Sequence, residues 1–198
     1  MNAPLDLQLD KAAFLHWVEG REGRWELVRG RPVMQDTGNR RHSDIAEDFA
    51  DALRSRLARE IWRIRRGNLS VAVGEETRVP DVMVEPRGLA PRSLVSADAV
   101  LLCEVLSPSS FDRDFQAKRE LYFRLASLRV FVVLSQDAPA AWVWQRPGHQ
   151  GTMAGPESAP VAFPAEAELF EGMDANLRFD HLGVVVPLNE VYGDVVWE

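Results

Sequence analysis

VLLCEVLSPSSFDRDFQAKRELYFR, the stretch from Val100 to Arg124, decides how the rest of the chain is read. Its first half is a nearly unbroken apolar run, the pattern of a strand buried on both faces. Glu104 interrupts that run. Ser107-Pro108-Ser109-Ser110 then forms a turn into a helix, which Ser109 or Ser110 can cap while Asp112 and Asp114 place negative charge at its positive end. At 100° per residue, Phe111, Phe115, Lys118, Tyr122 and Leu125 share one stripe, and Arg113, Gln116, Arg119 and Glu120 fall largely on the other side. Lys118 therefore sits in the middle of the apolar face, aimed at the same interior as Glu104. Burying either charge alone would cost several kcal/mol, so the two should pair or share a polar pocket. The plainer alternative is one buried ion pair, or a lysine that snorkels outward.

The surrounding chain has 198 residues, 46% hydrophobic and 27% charged, enough for one domain with a substantial core. No apolar run approaches the roughly 20 residues that cross a bilayer. The N-terminus lacks a basic segment followed by an apolar core, so no secretion signal is expected. The single cysteine, Cys103, allows no internal disulfide and fits a reducing cytoplasm; its place in the apolar run makes it a core residue. A net charge of −7 argues against a protein that coats nucleic acid indiscriminately, but leaves room for a local basic surface around an acidic centre.

Working outward, residues 10–19 read as a short amphipathic helix with Asp10 at its start. RWELVRGRPVMQ reads as a hairpin around Arg29-Gly30-Arg31, with Glu26 opposite Trp25 and Leu27. A long helix is expected from His42 to Ile61, with Ile45, Phe49 and Leu53 as its apolar stripe. His42 lies on that side at the N-terminal end, where it either reaches a substrate phosphate or bonds a neighbouring carbonyl. Arg54, Arg56, Arg59, Arg63, Arg65 and Arg66 form the one basic concentration, either a solvated face or a polyanion contact, with Arg63, Arg65 and Arg66 the candidate nucleic-acid-binding residues. Residues 69–85 read as short strands, with Asp81 directly after Pro80 at a strand entrance, on the same face as Met83. Residues 86–98 read as a loop. Arg129–Leu134 reads as a buried strand that pairs with the strand from Ala140 across Ser135–Pro139. Residues 147–165 read as a loop, followed by short strands and a turn of helix at Pro187–Tyr192.

The unusual residues are therefore Glu26, Asp81, Glu104 and Lys118, with His42 and Asp114 as accessories. Carboxylates meeting at strand ends make an oxygen-rich site for a hard cation such as Mg²⁺. Such a cation can polarise a phosphodiester and lower the pKa of an attacking water, and a neighbouring lysine can hold that water and offset developing charge. Serine catalysis is weaker, because turn formation and capping already account for Ser107, Ser109 and Ser110. Zinc is poorly supported by one cysteine and four scattered histidines.

The ordered set RWELVRG, His42 opening a helix, PDVMV, CEVLSPSS, then DFQAK followed by Tyr122, with SLRVFVVLSQD and HLGVVVPLNEVY after it, resembles the Uma2 family (the DUF820 group) over nearly the whole chain. That resemblance implies an α/β (α+β) fold of the restriction-endonuclease-like, PD-(D/E)XK type: a mixed sheet flanked by helices, with extra N- and C-terminal strands. It also implies a metal-dependent endonuclease acting on DNA, with Mg²⁺ or Mn²⁺ held by Asp81, Glu104 and Glu26. A homodimer is expected because two copies related by a two-fold axis easily make the two cuts in a duplex. Lys118 takes the place of the superfamily lysine that stands two residues after the acid, where this chain has Leu106. Asp114 matches the first position of the family's D-x-x-x-K. Val130-Phe131 departs from the Glu-Tyr common in the family, in a core strand outside the expected site. The competing expectation is a non-catalytic binding or regulatory module that keeps this fold.

Overall fold

A computed structural model describes residues 7–35, 38–106, 113–147 and 161–197. The turn expected at Ser107–Ser110, and Phe111 and Asp112 after it, lie outside those residues.

The central run forms strand β8 (Leu101–Leu106), and the chain around it builds a six-stranded mixed sheet. Its other strands are β3 (Trp62–Arg66), β6 (Val82–Pro86), β9 (Val130–Ser135), β10 (Ala140–Gln145) and β11 (Glu168–Glu171), in the order β11-β10-β9-β8-β6-β3. β8 and β9 run parallel, joined by helix α3 (Arg113–Phe123), whereas the other neighbours are antiparallel.

Alternation along these strands separates two cores. Val82, Val84, Leu101, Cys103, Val105, Val130 and Val132 face helix α2 (Arg40–Arg54) and helix α4 (Leu188–Tyr192). Met83, Leu102, Phe131 and Val133 face α3, which contributes Phe115, Leu121 and Tyr122. Glu104 is in step with Leu102, so it points to the α3 side. The hairpin β12 (Asn176–Phe179) and β13 (Val184–Pro187) closes the α2 side through Leu177, Phe179 and Val186.

A second, five-stranded sheet lies with the α3 core. It contains β1 (Arg24–Val28), β2 (Arg31–Gln35), β4 (Ser70–Val73), β5 (Glu76–Arg78) and β7 (Val95–Ser96), in the order β2-β1-β5-β4-β7. Val71 and Val73 join it to Phe115 and Tyr122. The expected β1–β2 hairpin turns on Arg29 and Gly30, both at positive φ, and a Cβ on Gly30 would fall 2.0 Å from the Gln8 amide nitrogen. Helix α1 (Lys11–Val18) starts where the Asp10 side chain accepts the Ala13 N–H.

Two expectations need correction. The helix expected to run to Ile61 stops at Arg54, where the Ser55 N–H bonds the Asp51 carbonyl and Arg56 Nη1 donates to the Ala52 carbonyl. The chain turns over 55–61 and emerges as β3, because Trp62 and Ile64 alternate with Arg63 and Arg65 and pack on the α2 core at a two-residue period. Residues 86–98 are also not wholly loop, since Val95–Ser96 pairs in parallel with β4. Among the described residues, no helix is long and apolar enough to cross a membrane.

Candidate active site

Lys118 is where the elements meet. From the middle of α3 its ammonium lies 2.9 Å from Glu104 Oε1 and 3.4 Å from Glu26 Oε1. One turn on, the Tyr122 hydroxyl donates to the same Glu104 oxygen at 2.8 Å. The spacing of four residues puts both donors over one point of β8. Lys118 is not snorkelling: its side chain is only 18% exposed, with Glu104 and Glu26 almost fully buried.

Glu26 reaches this point from β1. Its Oε1 accepts the Val79 N–H at 2.9 Å, its Oε2 accepts the Gln35 amide at 2.9 Å, and Arg78 Nε lies 3.7 Å from Oε2. Asp81 enters at the head of β6, where its own N–H bonds the Cys103 carbonyl. Its Oδ1 accepts Arg24 Nη2 at 3.0 Å; its Oδ2 accepts the Val105 N–H at 2.9 Å and lies 3.0 Å from His42 Nε2.

These surroundings drive the carboxyl groups apart. Burial, reinforced by the charges of Asp81 and Glu26, pushes Glu104 up to about 7 against the opposing pull of Lys118. Burial would raise Asp81 as well, but the His42 hydrogen bond, the His42 and Arg24 charges and the Val105 N–H outweigh it and hold Asp81 well below the usual carboxylate range. Burial would lower Lys118, yet Glu104, Glu26 and Asp81 together keep it above the ordinary lysine value. Tyr122 is raised by burial and by Glu104, so it stays a protonated donor.

The structure thus joins Glu26, Glu104 and Lys118 directly, sets Asp81 on the adjoining strand close enough to raise Glu104, and brings His42 onto Asp81. The Asp114 side chain lies outside the described residues. The basic run is split: Arg66 lies on the α2 face of β3, 2.6 Å from Glu47, whereas Arg65 on the opposite face donates to buried Glu85 at 2.8 Å, and Arg63 is exposed. Cys103 is a buried free thiol in the α2 core, as expected.

Three contributors were not singled out from sequence. Arg24 shares a strand face with Glu26 at i−2, a signal that was available. The Tyr122 hydroxyl was hidden behind its ring, which alone accounts for its place on the apolar stripe. Arg78 carries no local signature.

Two observations bear on a divalent cation. The donors Glu26, Asp81 and Glu104 are all carboxylates, the ligand class hard cations prefer, and Glu104 is raised first by burial and then by the charges of Asp81 and Glu26, which a cation would offset. Against this, among the described residues no three acidic, histidine or cysteine side chains stand together ready to hold an ion, and both Asp81 oxygens already have protein donors. The donor chemistry fits Mg²⁺. The Arg24 guanidinium neutralises Asp81.

Residues 12–178 match the model of the Uma2 family, described as "Putative restriction endonuclease". No curated protein matches the chain. A crystal structure described as that of "a putative nuclease belonging to DUF820 from Anabaena variabilis ATCC 29413" is similar with a TM-score of 0.68. The similarity covers 93% of this chain and 98% of that one at 16% sequence identity, a likeness of fold.

Proposed function

Because the chain belongs to the Uma2 family, we propose that it is a metal-dependent endonuclease hydrolysing the phosphodiester bonds of DNA. The observation that carries the reading is Lys118, a nearly buried ammonium shared between Glu104 and Glu26 beside Asp81. Asp81 and Glu104 would hold Mg²⁺ or Mn²⁺, with Glu26 completing or orienting the set. When bound, the cation polarises the phosphodiester and makes water a stronger nucleophile. Lys118 stays protonated, positions the attacking water and offsets the charge that grows on the phosphate oxygens. Tyr122 fixes Glu104, and His42 and the Val105 N–H fix Asp81. Arg24 must release Oδ1 for a cation to share it. We further place the protein in the cytoplasm, where a free Cys103 persists, and propose that it acts as a homodimer, since a two-fold pair matches the symmetry of a duplex.

The test is nicking of supercoiled plasmid with and without Mg²⁺ or Mn²⁺, alongside thermal denaturation in the same buffers. Metal should raise the melting temperature of the wild type and of Lys118→Ala, but not of Asp81→Ala or Glu104→Ala, and only the wild type should nick. Equal nicking by wild type and Lys118→Ala would remove the lysine from the mechanism. A second reading, a binding or regulatory module without catalysis, is favoured by the donors that already occupy both oxygens of Asp81. It predicts no thermal response at millimolar metal.

A further inference from the structure

Beside Asp81 lies a pocket of about 240 Å³, between the start of α2 and the strands β1 and β3. Arg24, His42, Ser43 and Arg66 line it, and Asp81 is the one acid among the described residues of its lining. We infer that this pocket is a phosphate subsite, taking a backbone phosphate of the nucleic acid next to the bond that is cut. The inference rests on the nuclease reading above.

Unused guanidinium donors support an anion. Arg24 pairs with Asp81 and Arg66 with Glu47, yet neither pairing uses the whole fork. Arg66 uses Nε for Glu47 and makes only a 3.5 Å contact from Nη1 to the Ser43 carbonyl, with its side chain 39% exposed, so its fork retains donors that face solvent. Arg24 is also under-used: Nη2 holds Asp81 and the Val79 carbonyl, while Nε is buried with no acceptor. A guanidinium so placed has donors from which a phosphate could accept. The first turn of the fifteen-residue helix α2 opens here, with the Asn39 side chain accepting the His42 N–H, and adds the positive end of its dipole.

The backbone keeps the mouth open. A Cβ on Gly38 would come within 2.4 Å of the His42 ring. Gly67, at φ +56°, passes the Arg24 guanidinium, where a Cβ would lie 3.4 Å from Cζ. A side chain at Gly38 would crowd His42, and one at Gly67 would be strained by its positive φ.

The experiment is fluorescence anisotropy of a labelled duplex in EDTA, across a salt series, so that binding is read without metal or cleavage. Arg66→Gln is compared with Arg178→Gln, which removes an equal charge from exposed β12. Because the Arg66–Glu47 pair lies at the surface, the variant keeps its fold, checked by melting temperature. Arg66→Gln is expected to weaken binding several-fold and reduce the slope of log affinity against log salt by about one, the loss of one phosphate contact. Arg178→Gln should leave the slope unchanged. Equal effects of the two substitutions would overturn the subsite while leaving the nuclease reading intact. Loss of plasmid nicking with normal, Arg66-dependent binding would do the reverse. In a parallel arm, inorganic phosphate is titrated by thermal shift. If the wild type binds no duplex, stabilisation by phosphate that Arg66→Gln lacks would identify a free anion as the ligand, and its absence would overturn the subsite.

Discussion

Glu104 has a burial problem that only part of its surroundings solves. Lys118 and Tyr122 both address Oε1, yet burial and the nearby acids still raise its carboxyl from an ordinary 4.5 to about 7. The folded state therefore binds more protons than the unfolded chain between those values, so in metal-free buffer this group's contribution to stability is fully present below about 4.5 and fades as pH rises through about 7. The shift corresponds to something on the order of 3 kcal/mol. Urea melts from pH 4.5 to 8 should show a decline that Glu104→Gln flattens; an unchanged slope would mean that Glu104 ionises normally. Asp81 has the opposite sign. Held low by His42 and Arg24, it stabilises the fold above its usual carboxylate value and loses that contribution as pH falls below it. Asp81→Asn should therefore lessen the acid sensitivity of the melting temperature below about pH 4.

At the scale of elements, α3 must be held firmly for Lys118 to reach two acids at once. Its C-terminal end is fastened by Arg146, 6% exposed, just beyond β10. Arg146 Nη2 donates to the carbonyls of Phe123 and Leu125, at 2.7 and 3.2 Å, and Nε to Leu128 at 2.8 Å, with Phe163 4.4 Å beneath the guanidinium. Cations at a helix C-terminus complete its last carbonyls and favour its dipole. Arg146→Met would strip those carbonyls of their donors and should cost about 2–4 kcal/mol, seen as a lower urea midpoint with an unchanged m-value. Arg146→Lys should recover little of this, because an ammonium cannot reproduce the fork. Periodicity made α3 and β8 legible, since the misplaced charge on each is defined within a few residues of its own neighbours. It carried α2 on to Ile61 because arginines suit helices and Arg54, Arg56 and Arg59 continue the helical run, and it left β3 unassigned because only Trp62 and Ile64 mark the change of period.

Across the whole molecule, the site is a junction of two sheets. Glu26 comes from the five-stranded sheet, Asp81 and Glu104 from the six-stranded one, and Lys118 from the helix that touches both. Groups in direct contact couple energetically even when their strands share no hydrogen bonds, so a double-mutant cycle of Glu26→Gln and Lys118→Met should give an interaction of about 1 kcal/mol or more. Additive effects would mean that the 3.4 Å approach is not an energetic contact. This scale also sets what sequence could reveal. Asp81 and Glu104 stand out because each starts or interrupts an apolar strand. Arg24 and His42, 57 and 39 residues from Asp81, meet it only through folding, and no local pattern records that.

The order of the four groups along the chain has a consequence for synthesis. All three acids emerge from the ribosome before Lys118, and the six-stranded sheet that carries Asp81 and Glu104 is not complete until β9, β10 and β11 follow it. On the proposed reading, a growing polypeptide, or one cut short before Lys118, carries the acidic half of the chemistry without its cation. Such a fragment should fail to nick plasmid DNA.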